Sequence, residues 1–264
     1  MSITRTLLAS DLDGTLIPLE QTDLRLREVQ DLVGVLQNLE LAYVTGRHLS
    51  LAQQGVAATG LPSPSWYVCD VGTSVYRRAD GDFELDPEYR RRMRDAFGGL
   101  AGADVREAVG AVEGLSLQEP EKQAEFKVSY YTEGRPEAYV DVVRHRLDAA
   151  NARVNLVASF DPVTERGLLD VLPAGIAKDY AVRYLHERTG VHQDQLIFAG
   201  DSGNDRAAML SGYRAIVVGN ADEGLKRDLE EQAELRGLAE RVYFAREPYA
   251  AGVHEGLRHY LGTS

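Results

Sequence analysis

Short apolar runs alternate with longer segments of helical periodicity in the first part of the chain. The runs cover residues 7–9, 41–45 and 66–69, and apolar side chains recur every three or four positions over residues 23–39. The runs predict buried strands, and the periodic segment predicts a helix. Strands and helices that alternate with short links predict a parallel α/β sheet.

The pattern changes beyond residue 79. Asp86 followed by Pro87 predicts the start of a helix. Residues 125–131 alternate between apolar and polar, which is typical of a half-exposed antiparallel strand. A further helix and two strands joined by a turn at Asp161-Pro162 are predicted at residues 136–150, 153–159 and 168–172.

These segments predict two structural units. Residues 80–173 form a small α+β domain, which is inserted into a Rossmann-like core formed by residues 1–79 and 174–264. The polar face of the predicted strand at residues 125–131 is expected to lie over another part of the molecule. We therefore expect the polar face of the 125–131 strand to cover the mouth of the parallel sheet.

The α/β pattern resumes after the insertion. Lys178 begins a predicted helix, and Asn220 with Glu223 predicts a capping box at the start of a later one. The other core strands and the final helix are predicted at residues 196–200, 215–218, 242–244 and 253–261.

Composition and charge exclude several classes of function. The 264 residues include 29 basic and 41 acidic side chains, and the net charge of −12 disfavours binding to nucleic acid or to an anionic membrane. The single cysteine, Cys69, excludes an internal disulfide. No run reaches the ~18 apolar residues of a membrane span, and the segment before Asp11 is too short and polar for a secretory signal. We expect a cytoplasmic monomer.

Two carboxylates, Asp11 and Asp13, end the first strand and are followed by a glycine. Residues two apart on an extended strand point the same way, so both carboxylates can face one crevice. Like charges this close favour a bound cation, and Mg²⁺ prefers oxygen ligands. The pair alone is also compatible with a strand end capped by two solvated aspartates.

Other strand and helix ends supply further polar groups. Thr45 follows the second strand, Lys178 begins a helix, and Asp201 and Asp205 follow a later core strand. Ligands bind beyond the carboxyl ends of parallel strands, so we expect these groups in one crevice. Hydroxyl, ammonium and backbone N–H groups suit a phosphate, and carboxylates suit magnesium. The sequence therefore predicts phosphoryl transfer.

These motifs resemble, in order and spacing, the four motifs of the haloacid dehalogenase superfamily. The resemblance implies an α/β fold with a parallel-sheet core and an inserted α+β cap. The insertion resembles the C2B-type cap of trehalose-phosphate and sucrose-phosphate phosphatases. The likeness to the sucrose-phosphate phosphatase family rests on residues 41–47, 71–76, 126–130 and 200–205.

The resemblance implies a role for each matching residue. Asp11 would attack phosphorus and become an aspartyl phosphate, and Asp13 would act as general acid and then general base. The phosphoryl oxygens would be held by Thr45, Gly46, Lys178 and Asn204. The Mg²⁺ ion would be held by Asp11, Asp13 through its backbone carbonyl, Asp201 and Asp205.

Four residues are candidates for substrate binding. Arg47 either reaches the phosphate or pairs with Asp201. Lys127, on the polar strand face, either hydrogen-bonds sugar hydroxyls from above or is simply solvated. Gly72 and Thr73 are expected to contact the sugar from the core.

The leading hypothesis is a Mg²⁺-dependent phosphatase of a sugar phosphate, with sucrose 6-phosphate as the first candidate. Mannosylfructose phosphate, glucosylglycerol phosphate and mannosyl-3-phosphoglycerate are alternative substrates. A phosphomannomutase-like phosphotransferase shares the nucleophile, but it should need arginines that residues 126–131 lack. A non-catalytic sensor has no need for both Asp11 and Asp13. A sugar-phosphate synthase is a candidate partner.

Overall fold

Two β-sheets and nine helices organise the residues that the computed structural model describes, which are 5–20, 22–161 and 166–262. The strands are β1 (Leu7–Ser10), β2 (Glu40–Val44), β3 (Trp66–Cys69), β4 (Ser74–Ala79), β5 (Asp82–Leu85), β6 (Leu115–Leu117), β7 (Val128–Thr132), β8 (Val154–Asp161), β9 (Arg166–Pro173), β10 (Leu196–Gly200), β11 (Arg214–Val217) and β12 (Val242–Phe244). The helices are α1 (Asp23–Leu36), α2 (Leu49–Thr59), α3 (Pro87–Ala96), α4 (Gly102–Val109), α5 (Glu137–Ala149), α6 (Lys178–Thr189), α7 (Arg206–Met209), α8 (Glu223–Leu235) and α9 (Tyr249–Leu261).

The larger sheet has eight strands in the order β12-β11-β10-β1-β2-β3-β4-β5. Strands β12 through β3 pair in parallel, whereas β4 and β5 pair antiparallel. Every residue of β1 and β10 is buried. Burial on both faces explains why these strands are apolar throughout rather than alternating.

Helices cover both faces of this sheet. Buried side chains of α1, α2 and α9 pack against one face. Side chains of α3, α6, α7 and α8 pack against the other, in a cluster that continues into the smaller sheet. This two-sided arrangement confirms the predicted α/β class and leaves the carboxyl ends of the parallel strands open for a site.

The smaller sheet is antiparallel, with the order β6-β7-β9-β8. Together with α4 and α5 it forms the unit that we call the cap, which runs from α4 through β9. Helix α3 joins the cap to the core, since Phe97 beside it contacts Phe126 at a ring-centroid distance of 6.2 Å. On the core side, Tyr89 lies 4.7 Å from the ring of Tyr184.

The start of α3 is as predicted, because the side chain of Asp86 accepts hydrogen bonds from the backbone of Glu88 and Tyr89. The predicted half-exposed strand at 125–131 is wrong in two respects. The strand starts at Val128, and all of its residues are buried. The polar face is covered because it lies over the core and not in solvent.

The sheet pairing also moves the predicted boundary of the insertion. Strand β5 pairs with β4 in the core sheet, so residues 82–85 lie with the core and not in an insertion that begins at residue 80. The hairpin escaped prediction because its residues alternate weakly and carry many charges. The predicted turn at Asp161-Pro162 extends beyond Asp161 into residues outside the described ranges.

The predicted capping box at Asn220 is also wrong. Helix α8 is capped by Asp222, whose carboxylate accepts from the backbone of Gly224 and Leu225. The side chain of Asn220 instead joins two distant segments. Its amide donates to the carbonyl oxygen of Gly14 (2.8 Å), and its oxygen accepts from the backbone N–H of Tyr249 (2.8 Å).

Candidate active site

A buried lysine bridges two carboxylates at the carboxyl ends of β1 and β10. The Nζ of Lys178 lies 2.9 Å from Oδ1 of Asp11 and 2.7 Å from Oδ1 of Asp205. Lys178 is only 1% exposed, Asp11 4% and Asp205 0%. A lysine at a helix start is ordinarily on the surface, so its complete burial between acidic groups marks a site.

Burial perturbs the acid–base behaviour of this cluster. Loss of hydration raises the pKa of Asp11 well above its ordinary value, and the charges of Asp205 and Asp201 raise it further, against the opposing effect of Lys178. Burial and the Asp205 charge raise the pKa of Asp201 to about 7. Burial lowers the pKa of Lys178, but Asp11 and Asp205 outweigh it and raise the value overall. The three carboxylates of this cluster can carry more negative charge than the single ammonium group of Lys178 compensates.

The same cluster can hold a metal ion. Asp11, Asp201 and Asp205 each offer a carboxylate oxygen, and these atoms lie within 4.8 Å of one another. Hard oxygen donors with uncompensated charge fit a divalent cation. Thr15 orients Asp201 by donating a hydrogen bond to its Oδ1 (2.9 Å). A Cβ at Gly14, which has φ +76°, would collide with the Asp201 carboxylate, so glycine is required there.

The side chain of Asp13 lies outside this group. Its two oxygens accept hydrogen bonds from Arg47, from Nε at 2.7 Å and from Nη2 at 2.5 Å. The predicted alternatives for Arg47 were a phosphate contact or an ion pair with Asp201, and the ion-pair partner is instead Asp13. Such a bidentate arrangement fixes the orientation of the carboxylate. Asp13 is half-exposed, and the cavity reaches it.

The predicted phosphate-binding residues occupy different depths. Gly46, Lys178 and Asn204 line the cavity. Thr45 is fully buried just behind Gly46, and its hydroxyl oxygen accepts from the backbone N–H of Arg47 at 3.2 Å. Thr45 therefore shapes the turn that carries Gly46 and Arg47 in this structure.

The cavity, of about 660 Å³, lies between the core and the cap. Asp11 and Asp201 lie at its floor, and β8, β9 and the segment before β7 form its roof. The cap residues that line it include Gln118, Lys122, Lys127, Ala158, Ser159, Phe160, Leu168 and Asp170. The expectation that the cap covers the mouth of the parallel sheet agrees with this arrangement.

Two of the predicted sugar contacts are placed differently. Thr73 is 2% exposed and donates its hydroxyl to the carbonyl of Asp70 at 3.0 Å. Gly72 packs so tightly against Ala177 that a Cβ would lie 2.7 Å from its carbonyl oxygen. Both residues support the cavity wall from behind, and the neighbouring Val71 lines it.

Lys127 reaches the cavity, but its neighbours on the predicted polar face do not share that role. Glu125 turns outward and pairs with Arg90 at 2.8 Å. Ser129 donates to Asp170 at 2.5 Å, and both side chains are buried. The contribution of Asp170 and Gln118 to the cavity escaped prediction because only the packing of the cap sheet brings them over the core.

Together with this fold and site, comparison with known proteins shows a phosphoric monoester hydrolase of the haloacid dehalogenase type. A family model described as sucrose-6F-phosphate phosphohydrolase matches residues 4–261, and the chain belongs to this family. A Nitrosococcus oceani protein described as a HAD-like hydrolase is 35% identical, with 97% of this chain and 72% of that protein covered.

Two further relatives are named for particular substrates. The mannosylfructose-phosphate phosphatase of Agrobacterium fabrum is 28% identical, and the match covers 96% of each chain. The crystal structure of the sucrose-phosphatase from a Synechocystis species, in complex with sucrose and phosphate, is 25% identical with a TM-score of 0.78 and covers 98% of each chain. Both are phosphatases that match almost the whole of this chain.

Proposed function

We propose that this protein is a Mg²⁺-dependent phosphatase of a glycosyl phosphate, with sucrose 6-phosphate as its first candidate substrate. The observation that carries the proposal is the cavity between core and cap. Asp11 and Lys178 lie at its floor, Asp13 lies beside them, and Lys127 reaches in from the cap. Acidic and basic groups at the floor suit phosphoryl transfer, and polar cap groups suit a hydroxyl-rich leaving group.

The carboxylates Asp11 and Asp201, with Asp205 behind them, are the residues that would hold Mg²⁺. When bound, the ion supplies positive charge beside the transferring phosphoryl group. No helix among the described residues is long and apolar enough to cross a bilayer.

The chain's own groups support a two-step hydrolysis. A carboxylate oxygen of Asp11 forms a bond to phosphorus as the bond from phosphorus to the sugar oxygen breaks, and Asp13 donates a proton to that oxygen. Water then attacks phosphorus as the bond from phosphorus to the Asp11 oxygen breaks, Asp13 takes a proton from that water, and phosphate leaves with Asp11 restored as a carboxylate. Lys178 stabilises negative charge throughout.

Arg47 supports the proton-accepting step of the role proposed for Asp13, because a cationic donor to both oxygens orients the ionised carboxylate. Each carboxylate oxygen has two acceptor positions, so an oxygen that accepts from Arg47 keeps a position free for the substrate. The fork of two hydrogen bonds holds the carboxylate at the mouth of the site, away from the metal-binding cluster.

Mannosylfructose phosphate is a second candidate substrate, because a phosphatase named for it matches 96% of this chain. Glucosylglycerol phosphate and mannosyl-3-phosphoglycerate stay predictions from the sequence, as do the monomeric state and a synthase partner. The cationic cap residues that line the described cavity are Lys122 and Lys127. This gives little support to a mutase, which must capture a second phosphate.

The test is phosphate release with Mg²⁺ across sucrose 6-phosphate, mannosylfructose phosphate, glucosylglycerol phosphate, trehalose phosphate and hexose phosphates. We expect kcat/KM for sucrose 6-phosphate or mannosylfructose phosphate to exceed that for hexose phosphates by about 100-fold or more. EDTA should abolish turnover, and added Mg²⁺ should restore it. Equal turnover of all the esters, or full activity in EDTA, would refute the proposal.

A further inference from the structure

A buried ion pair links the core to the cap at the edge of the cavity. The Nζ of Lys127, in the cap, lies 3.5 Å from Oδ1 of Asp70, in the turn after β3. Lys127 is 5% exposed and Asp70 3%. Within the described part of the chain, Oδ1 of Asp70 makes no hydrogen bond, so its principal partner is the lysine across the interface.

The turn that carries Asp70 is held in an unusual conformation. Asp70 and Val71 both have positive φ, 54° and 60°, and a β-branched residue rarely adopts such a value. Two backbone hydrogen bonds hold the turn, from Asp70 N–H to the carbonyl of Arg47 (3.0 Å) and from Val71 N–H to the carbonyl of Thr45 (3.2 Å). Asp70 is therefore fixed relative to the segment that orients Asp13.

We propose that Asp70 is a positioning residue, which holds the ammonium group of Lys127 over the cavity so that it meets the part of the substrate beyond the phosphoryl group. Lys127 lines the cavity, whereas Asp70 lies behind Val71 and acts through the lysine. The inference rests on the proposed function, in which the cap binds the leaving group.

The geometry of the pair suits a positioning role. A lysine side chain has four rotatable bonds, and a single buried carboxylate of fixed position selects one placement of its head group. A buried pair is weak evidence for stability, but it can specify one arrangement of two packed units. Here it fixes the position of β7 and of the segment before it over the strand ends that carry the catalytic residues.

The experiment is a double-mutant cycle of Asp70→Asn, Lys127→Met and the two together. Asparagine keeps the shape of Asp70 and tolerates positive φ, so Asp70→Asn removes the charge with little change to the turn. The assay uses whichever ester of the substrate panel the wild type hydrolyses with the highest kcat/KM. A failure of the glycosyl preference would therefore overturn the proposed function and still leave the cycle to decide the role of Asp70.

We expect Asp70→Asn to raise KM by about tenfold or more while kcat falls less than about threefold, because ground-state placement of the leaving group is lost. Lys127→Met should raise KM at least as much, and the double variant should match Lys127→Met alone. The matched control is Glu125→Gln, which removes a surface carboxylate two residues from Lys127 and should leave KM unchanged.

Two results would overturn the inference. One is an unchanged KM in Asp70→Asn with a lower kcat, which indicates only a smaller folded fraction. The other is multiplication of the two KM effects in the double variant. If a single variant fails to fold, the double variant, which has no unpaired buried charge, should recover a thermal unfolding transition, and its failure to do so also counts against the pair.

Discussion

Replacement of Lys178 by methionine should reveal how much the buried carboxylates of the catalytic cluster destabilise the folded protein when their cationic partner is removed. The ammonium group lies 2.9 Å from Asp11 and 2.7 Å from Asp205, and all three side chains are buried. Methionine retains the apolar stem, so the variant loses charge with little loss of packing. Removing one partner of a buried ion pair costs about 3–5 kcal/mol. We expect the free energy of unfolding to fall by that amount at neutral pH in EDTA.

The measurement is urea unfolding followed by the fluorescence of Trp66, the single tryptophan, which is 7% exposed in β3 and reports on the core. The matched control is Lys226→Met. That lysine pairs with the exposed Glu223 on α8 and donates to the carbonyl of Gly219 at 2.7 Å, so its loss should cost only about 1–2 kcal/mol.

A second variant tests the cause. In Lys178→Met with Asp205→Asn, one of the two uncompensated carboxylates is gone, so the double variant should recover about 1–3 kcal/mol relative to Lys178→Met. Saturating Mg²⁺ should also raise the stability of Lys178→Met, because a cation that binds only the folded state stabilises it. Additive losses in the double variant, or a loss in Lys178→Met no larger than in the Lys226→Met control, would refute this account.

Three further predictions concern the same strand ends. Asp11→Asn should fold normally and lower kcat by about 10⁴-fold or more, which phosphate release measures, and near wild-type turnover would contradict a nucleophilic role. Asp201 has a folded-state pKa raised to about 7 from 3.8, so its protonated form favours folding. In metal-free protein its contribution should be complete below pH 3.8 and disappear as the pH rises through about 7, and urea midpoints of Asp201→Asn should lack this part of the pH dependence. Asn220→Ala leaves the Gly14 carbonyl and the Tyr249 N–H without their side-chain partner, so unfolding midpoints should show a loss of about 1–3 kcal/mol, and an unchanged stability would show that water replaces both bonds.

Local patterns were sufficient to predict most of the core. Strands β1, β3, β10 and β12 begin and end within a residue or two of the predicted bounds, because a fully buried parallel strand must be apolar over its whole length. The start of α3 was predictable for a similar reason, since Asp86 and Pro87 act on the backbone beside them. The hairpin of β4 and β5 lacked such a signal, and it shifted the domain boundary.

The sequence determined which groups the strand ends present, because a strand that stops at Asp11 or Gly200 delivers the following residues to one edge of the sheet whatever their partners are. Tertiary structure alone decided the pairings: Arg47 binds Asp13 and not Asp201, Asn220 holds Gly14 and caps no helix, and Lys127 meets Asp70. Each pairing joins residues far apart in the chain. Which residues pair depends on the angles at which loops leave neighbouring strands and on how the cap packs over the core. No periodicity in the chain encodes either of these.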